Sequence, residues 1–261
     1  MRRACLLVLL AACTGDKNPT TTESASPTDT GTAPVGFALE GPVIDMASGT
    51  PAADGLCVDL LDPSPAVTGG VPVVLQSTTT AGGGYAFGSV ETTSAIGLLL
   101  QVDDCAGYDV FPTGSVVAAD DYVGLGAGDL LAGQTAWAVS TSFLALLVDS
   151  AIVAGYTGDL AAEGFVVGFV RDAAGLPVGG ATVGCSTCGP TFYIDADPTD
   201  GLFTGLAGVN TATDAGGSGA FVIPAGPIES YQADDGGVHT WPAQLNGSNP
   251  GFATVAVFVA Q

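Results

Sequence analysis

The chain has 261 residues, with 26 acidic against four basic side chains, a formal charge of -22 and a hydrophobic content of 47%. A surface this acidic repels polyanions, so nucleic acid is excluded as a partner, whereas cations would be attracted. Because 39 glycines and 16 prolines punctuate many short apolar runs, the composition predicts a folded, all-β chain of one or two domains.

The amino terminus has the pattern of an export signal. Arg2 and Arg3 precede an apolar run that ends in small residues before a cysteine. Leu10-Ala11-Ala12-Cys13 resembles the lipobox of bacterial lipoproteins, which implies that residues 1–12 are removed as a signal peptide and that Cys13 is lipidated. The apolar run is shorter than the about 20 residues of a membrane-spanning helix. We therefore expect a lipid anchor in the cell envelope, in the outer membrane on its surface or periplasmic face; an ordinary secretory signal is the alternative.

Residues 13–34 are predicted to form a disordered tether between the anchor and the first domain. They are mainly Thr, Ser, Pro, Asp and Gly, with no periodic apolar positions. Such a segment cannot bury enough apolar surface to offset the conformational entropy that is lost on ordering. No fold is therefore expected there.

From Val35 onward, short runs rich in Val and Leu alternate with turn residues, which predicts strands and hairpins. The order of motifs in the first half is repeated in the second. In each half a strand with a glycine is followed by a Gly-x-Pro turn, and later by a Gly-rich turn before an aromatic strand. An internal duplication is the simplest interpretation.

The second copy shows a motif of the form G-x-V-x-D, then G-x-P-V-x-G-A-x-V, between Gly168 and Val183. This motif resembles the carboxypeptidase regulatory-like domain, a transthyretin-like β-sandwich. The first copy matches it less completely, at Gly41, Val43, Asp45, Gly49 and Pro51. The resemblance implies two tandem immunoglobulin-like or transthyretin-like β-sandwiches, residues 35–134 and 164–261. It also implies accessory modules without a catalytic group.

Between the copies, residues 135–163 are predicted to be a helical connector. Apolar residues recur near helical spacing from Thr135 to Ala154, at Val139, Phe143, Leu146 or Leu147, and Ile152. Ser140 to Ser142 would cap the start of the helix and Gly155 would end it. Because Asp149 interrupts the apolar run, we expect a buried helix that orients the two sandwiches, not a membrane segment.

The four cysteines outside the signal and lipobox are Cys57, Cys105, Cys185 and Cys188. An even number in an exported chain favours disulfides, and the nearest-neighbour pairing would place one bridge in each half. The alternative is a zinc half-site at Cys185-x-x-Cys188. The chain has no second such pair and His239 is its only histidine, so we prefer disulfides.

No residue is predicted to be catalytic. A Ser-His-Asp enzyme would have to use His239, but the chain has no G-x-S-x-G elbow, and a surface histidine is the simpler interpretation. Calcium is the candidate cofactor, at Asp195, Asp197 and Asp200, where carboxylates and a turn glycine share one loop. Solvated aspartates that make turns are the alternative. Other acidic pairs include Asp120-Asp121 and Asp234-Asp235.

These observations predict a lipid-anchored protein of the cell envelope, held to the membrane by its amino-terminal lipid, with non-catalytic β-sandwich modules. Its role would be structural, or the binding of a glycan or protein ligand. The alternative is a hydrolase that works with a pair of acidic residues, as glycosidases do. A cleft lined by two close acids and aromatic residues would favour the hydrolase, and shallow aspartate loops on closed sandwiches would count against it.

Overall fold

The computed structural model describes residues 36–105, 107, 109–194, 212–216 and 218–261. The predicted signal peptide, Cys13, the tether and the calcium loop lie outside these residues. Within them the chain is mostly strand, which confirms the all-β prediction. The strands are β1 (Phe37–Asp45), β2 (Cys57–Asp62), β3 (Val73–Thr79), β4 (Gly84–Val90), β5 (Leu98–Asp103), β6 (Val110–Phe111), β7 (Thr113–Val117), β8 (Leu130–Leu131), β9 (Ala136–Ser140), β10 (Phe165–Arg171), β11 (Thr182–Gly184), β12 (Phe192–Tyr193), β13 (Ala220–Pro224), β14 (Glu229–Asp234), β15 (Gln244–Asn246) and β16 (Ala253–Val259). The helices are α1 (Ala119–Tyr122), α2 (Thr141–Val153) and α3 (Leu160–Glu163), and a 3-10 turn spans Ser64–Thr68.

One eight-stranded sheet runs through both halves of the described chain, in the order β12-β13-β10-β16-β7-β5-β2-β3. The two halves join where β16 pairs in parallel with β7, aligning Ala253–Val255 with Thr113–Ser115. A sheet of β4-β1-β9-β6, with β8 beside β1, packs on the β3-β2-β5-β7 half. A sheet of β11-β14-β15 packs on the other half. Strands from the two segments predicted as separate sandwiches therefore share a single sheet.

The strand pairing is alike in the two halves, as the predicted internal duplication would produce. In the first half β1 lies between antiparallel β4 and parallel β9, and in the second β10 lies between antiparallel β13 and parallel β16. The motif glycines occupy matching places in this arrangement. A Cβ on Gly41 would lie 1.9 Å from the carbonyl oxygen of Gln134, and a Cβ on Gly168 would lie 1.9 Å from that of Ala256. Both glycines therefore allow a neighbouring backbone to approach closely.

Strand β10 is buried on both faces, which explains its uninterrupted apolar sequence. Phe165 and Val167 pack in a cluster with residues of α2, β13 and β16. Val166 and Val170, on the opposite face, pack in a second cluster with residues of β11 and β14. The helix thus covers one face of the second half, and the three-stranded sheet covers the other.

The helix between the halves begins at Thr141, not at Thr135 as predicted. Residues Ala136–Ser140 instead form β9, whose first three residues pair in parallel with Val43–Asp45 of β1. Ser140 is the N-cap, and its hydroxyl accepts a hydrogen bond from the backbone N–H of Phe143 at 3.3 Å. The start of the helix is therefore set where pairing with β1 ends and a capping serine follows.

The predicted end of α2 agrees with the structure. Gly155 has a φ of +91° and donates its N–H to the carbonyl of Ile152, while Tyr156 donates to Ala151. These two bonds form a Schellman motif. The buried face carries Leu144, Leu147 and Ala151, whereas Ile152, predicted on that face, is 56% exposed. None of the helices in the described part of the chain is long and apolar enough to span a membrane.

Candidate functional site: a cleft between the two halves

The structure contains the two disulfides of the nearest-neighbour pairing. Cys57, at the start of β2, is bonded to Cys105 just beyond β5, with Cα atoms 5.6 Å apart. Cys185 is bonded to Cys188, with Cα atoms 5.1 Å apart. The first bridge joins the ends of two neighbouring strands, and the second closes a small ring after β11.

The small disulfide ring is held by Glu229 at the start of β14. The hydroxyl of Ser186 donates a hydrogen bond of 2.6 Å to one carboxylate oxygen, and the hydroxyl of Thr187 donates to the other. The backbone N–H of Thr187 adds a third bond, at 3.3 Å. Because these donors favour the charged form, they hold the pKa of Glu229 below its ordinary value. The carboxylate therefore serves as a clamp on the loop.

His239, the only histidine, is bonded to an acidic neighbour in its own loop. Its Nδ1 lies 2.6 Å from a carboxylate oxygen of Asp235, and its ring stacks obliquely 5.3 Å from Trp241. Desolvation acts to raise the pKa of Asp235, but hydrogen bonds from the backbone and ring of His239 and from Val238 outweigh it and lower the pKa. The same carboxylate thus accepts two backbone N–H bonds and a ring contact, which shapes the turn.

A large concave feature lies where the two halves diverge. Beyond Ser115 and Val255 the parallel pairing of β7 and β16 ends, although both strands continue. A cleft of about 900 Å³ opens between them. This volume falls within the range of about 300–1,000 Å³ that is typical of ligand clefts.

The walls of the cleft come from both halves of the chain. Val116 lies on the β7 side, and Val257 and Val259 lie on the β16 side. These walls are apolar and partly accessible: Val116 is 36% exposed and Val259 is 44% exposed. Gln244 of β15 reaches in from the three-stranded sheet, and its side-chain amide donates to the carbonyl of Val257 at 2.6 Å.

Trp137 of β9 also lines the cleft. Its backbone N–H donates to the hydroxyl of Ser115 at 2.9 Å, and its ring lies 5.1 Å from that of Phe169. Asp120 and Asp121, both exposed on α1, belong to the same lining. None of the described residues that line the cleft is Lys, Arg or His. The lining of the cleft is therefore mixed: valines of β7 and β16 lie beside polar side chains such as Gln134 and Gln244, and α1 contributes acidic groups.

Few of the residues that the sequence singled out as candidate functional residues line the cleft. Of the features noted in the sequence, only the acidic pair Asp120-Asp121 lines the cleft; the cysteines and His239 lie elsewhere, and the predicted calcium ligands Asp195, Asp197 and Asp200 are outside the described residues. The described parts of the chain contain no group of three or more His, Cys, Asp or Glu side chains placed to hold a metal ion.

Comparisons with known proteins leave the family open. No family model matches the chain, and no curated protein matches it. Among solved structures, the shaft pilin SpaA of Lactobacillus rhamnosus GG has a TM-score of 0.26 and 8% identity, with 87% of this chain and 98% of that chain covered. The Bacillus anthracis TIE protein has a TM-score of 0.26 and 10% identity, with 87% and 34% covered. A streptococcal ancillary pilin has a TM-score of 0.23 and 11% identity, with 86% and 68% covered. These TM-scores are too low to support an inference about function, and the resemblance to carboxypeptidase regulatory-like domains stays a prediction.

Proposed function

We propose that this chain is a lipid-anchored, non-catalytic protein of the cell envelope whose two β repeats act together as one binding body. The observation that carries the proposal is the eight-stranded sheet shared by both halves, with a cleft where its two central strands diverge. A shared sheet fixes the walls of the cleft relative to each other, as a preformed binding site requires. A glycan or a protein would be the ligand, and a calcium ion at the loop of Asp195, Asp197 and Asp200 would be an additional cofactor.

The lipobox and the tether support the anchored part of the proposal. A lipid on Cys13 would hold the chain at the membrane, because several acyl chains on one residue bind far more firmly than one. The polar residues 14–34 would then separate the β repeats from the bilayer. With almost no basic residues beyond the signal, the body itself has little attraction for anionic lipid surfaces.

The anchor is tested by detergent phase partitioning of the chain and of its Cys13→Ser variant, expressed in a bacterium that processes lipoproteins. We expect the parent in the detergent phase and the variant in the aqueous phase. A variant that still partitions with detergent would refute the anchor. Protease treatment of intact cells then locates the body: digestion of the parent indicates the cell surface, and protection until the outer membrane is broken indicates the periplasm.

A hydrolase is the second candidate, because the cleft brings Asp120 and Asp121 together with Trp137. The position of the two aspartates counts against a hydrolase. They are consecutive residues of one exposed helical turn, whereas glycosidases place their two carboxylates on either side of the scissile bond. Release of nitrophenol from a panel of nitrophenyl glycosides, abolished in the Asp120→Asn/Asp121→Asn variant, would establish the hydrolase. Release at the rate of the buffer blank by the parent would count against it.

A further inference from the structure

A smaller pocket of about 80 Å³ adjoins the cleft and differs from it in chemistry. Val116 and Leu245 line both. The first half of the chain adds Val67 of the 3-10 turn, and the second half adds Ile228 and Phe252. All of these except Phe252 are large apolar side chains that the fold leaves exposed. The described lining contains no Asp, Glu, Lys, Arg or His, so the pocket is apolar and uncharged.

One polar side chain of this lining is buried and has an unpaired donor. Asn246 is 4% exposed, and its Oδ1 accepts the backbone N–H of Gly247 at 2.8 Å. Because an N–H faces Oδ1, the oxygen and nitrogen of the amide cannot be exchanged without loss of this bond. Nδ2 of Asn246 is the one buried side-chain nitrogen or oxygen of the described residues that has no hydrogen-bond partner. Leaving a buried donor unpaired is costly, so Nδ2 requires an acceptor.

The amide of Asn246 is directed to the pocket by its place in β15. Gln244, two residues earlier, donates from its side chain to the carbonyl of Val257 in β16, and side chains two residues apart lie on the same face of a strand. Asn246 therefore also faces β16, where Thr254 lines the same pocket. The hydroxyl of Thr254 already donates to the carbonyl of Gly247 at 2.6 Å. The donor of Asn246 thus remains for a molecule that enters the pocket.

We propose that this pocket binds the short alkyl end of a neutral small molecule whose carbonyl oxygen accepts a hydrogen bond from Nδ2 of Asn246. The site is additional to the glycan or protein site proposed above and does not depend on it. One water needs about 10–15 Å³, and a cavity of about 150 Å³ holds benzene. A pocket of about 80 Å³ therefore admits a chain end of a few carbon atoms, and the exposed apolar side chains around it would be covered by the rest of the molecule.

The lining selects against other classes of ligand. A carboxylate would enter a chain of charge -22 with no cation in the pocket to pair with it, and a cation would find no carboxylate there. A sugar would bury several hydroxyl groups against apolar walls, where unpaired polar groups are costly. A water held by this one donor would have fewer than the about three partners that buried waters usually have. A carbonyl beside an alkyl group uses the donor and brings no other polar atom.

The proposal is tested by NMR on the Cys13→Ser chain, isotope-labelled at asparagine. Asn246 is one of four asparagines, so its side-chain amide can be resolved and then assigned through its backbone neighbours. We expect methyl butyl ketone to shift one amide proton of Asn246 downfield in a saturable titration. Pentanoate has a charged oxygen in place of the methyl group of this ketone, and we expect it to bind at least tenfold more weakly. Saturation by the ketone without movement of this proton, or equal affinity for pentanoate, would overturn the proposal, and neither comparison needs a folded variant.

A pair of variants locates the site. Val67→Trp places a large ring at the edge of the pocket and should weaken binding of the ketone at least tenfold. Val123→Trp is the matched control, because Val123 is also exposed and lies outside the lining of both the pocket and the cleft. It should bind the ketone like the parent. Both variants are first matched to the parent by thermal melting. Ketone binding that Val67→Trp leaves unchanged would place the ketone elsewhere and overturn the site.

Other occupants of the pocket give distinct results. A shift of the Asn246 amide by cellohexaose and not by the ketone would extend the glycan site into the pocket and overturn the ketone. A shift that depends on protein concentration alone, and that Val67→Trp abolishes, would assign the pocket to a second copy. An amide that responds to none of these would show that water alone serves the donor, which also overturns the proposal. The anchor would still be judged separately by the Cys13→Ser partitioning.

Discussion

Replacing Gly168 by alanine tests the closest approach between the two central strands of the second half. The added Cβ would lie 1.9 Å from the carbonyl oxygen of Ala256 and 2.8 Å from the ring of Phe221. The optimal separation of two non-bonded heavy atoms begins at about 3.5 Å, so the oxygen would have to move by roughly 1.6 Å. A backbone oxygen inside a sheet cannot move that far by a change of rotamer, and β10 and β16 would have to separate.

The expected loss follows from that separation. Breaking about two hydrogen bonds of the parallel ladder costs about 1 kcal/mol each. Forcing an extra methyl into a packed core costs about 1–3 kcal/mol more. We therefore expect Gly168→Ala to lower the free energy of unfolding by about 3–5 kcal/mol. This is a large part of the about 5–15 kcal/mol that folded proteins usually possess.

Urea denaturation followed by tryptophan fluorescence and circular dichroism measures this loss. Gly184→Ala is the matched control, because Gly184 also lies in a strand of the second half and a Cβ there would meet nothing within 4 Å. Its midpoint should match that of the parent. If the free energy of unfolding of Gly168→Ala is also within about 0.5 kcal/mol of that of the parent, the close approach and the structural role of the motif glycine are refuted.

Three further predictions concern the disulfide, the helix cap and the clamped ring. Replacing Cys57 and Cys105 by serine removes a bridge with a sequence separation of 48, so the free energy of unfolding should fall by about 4 kcal/mol in denaturation without reductant; an unchanged midpoint would contradict this. Ser140→Ala should cost about 1 kcal/mol in the same assay, since the N-cap bond of α2 is lost, and a neutral effect would show that the cap is not stabilising. Glu229 has a lowered pKa in the folded chain, so it stabilises the fold above its ordinary value of 4.5 and loses this effect as the pH falls through the folded pKa. Melting temperatures should therefore decline more steeply below about pH 4.5 for the parent than for Glu229→Gln, which keeps hydrogen bonding to the Cys185–Cys188 loop without titrating; equal declines would exclude the clamp.

Local sequence signals predicted the strand content and the end of α2, because turns and caps are made by residues next to each other in the chain. The start of the helix was wrong because Ala136–Ser140 can form a helix or a strand, and pairing with β1 decides between them. Such tertiary contacts override local preference in short apolar runs. The wrong prediction for Ile152 has the same cause, because the strands that pack against α2 determine which face of the helix is buried.

The shared sheet and the cleft could not be predicted from the sequence. They depend on the parallel pairing of Ser115 with Val255, about 140 residues apart, and parallel pairing of distant strands leaves no local pattern. The sequence motif identified Gly168, but the reason that a glycine is required there, the nearby carbonyl of Ala256, is seen only in the structure. Asp120 and Asp121 were recognised as an acidic pair, and only the fold shows that they line the same cleft as Trp137.

The position of β16 has a consequence for the order of folding. It is the last strand along the described chain, yet it lies in the middle of the eight-stranded sheet, between β10 and β7. During synthesis those two strands therefore emerge long before the strand that joins them. Until then each presents an open edge, the feature through which nascent chains pair wrongly with their neighbours. Deletion of Ala253–Val259 would leave both of these edges without their partner strand.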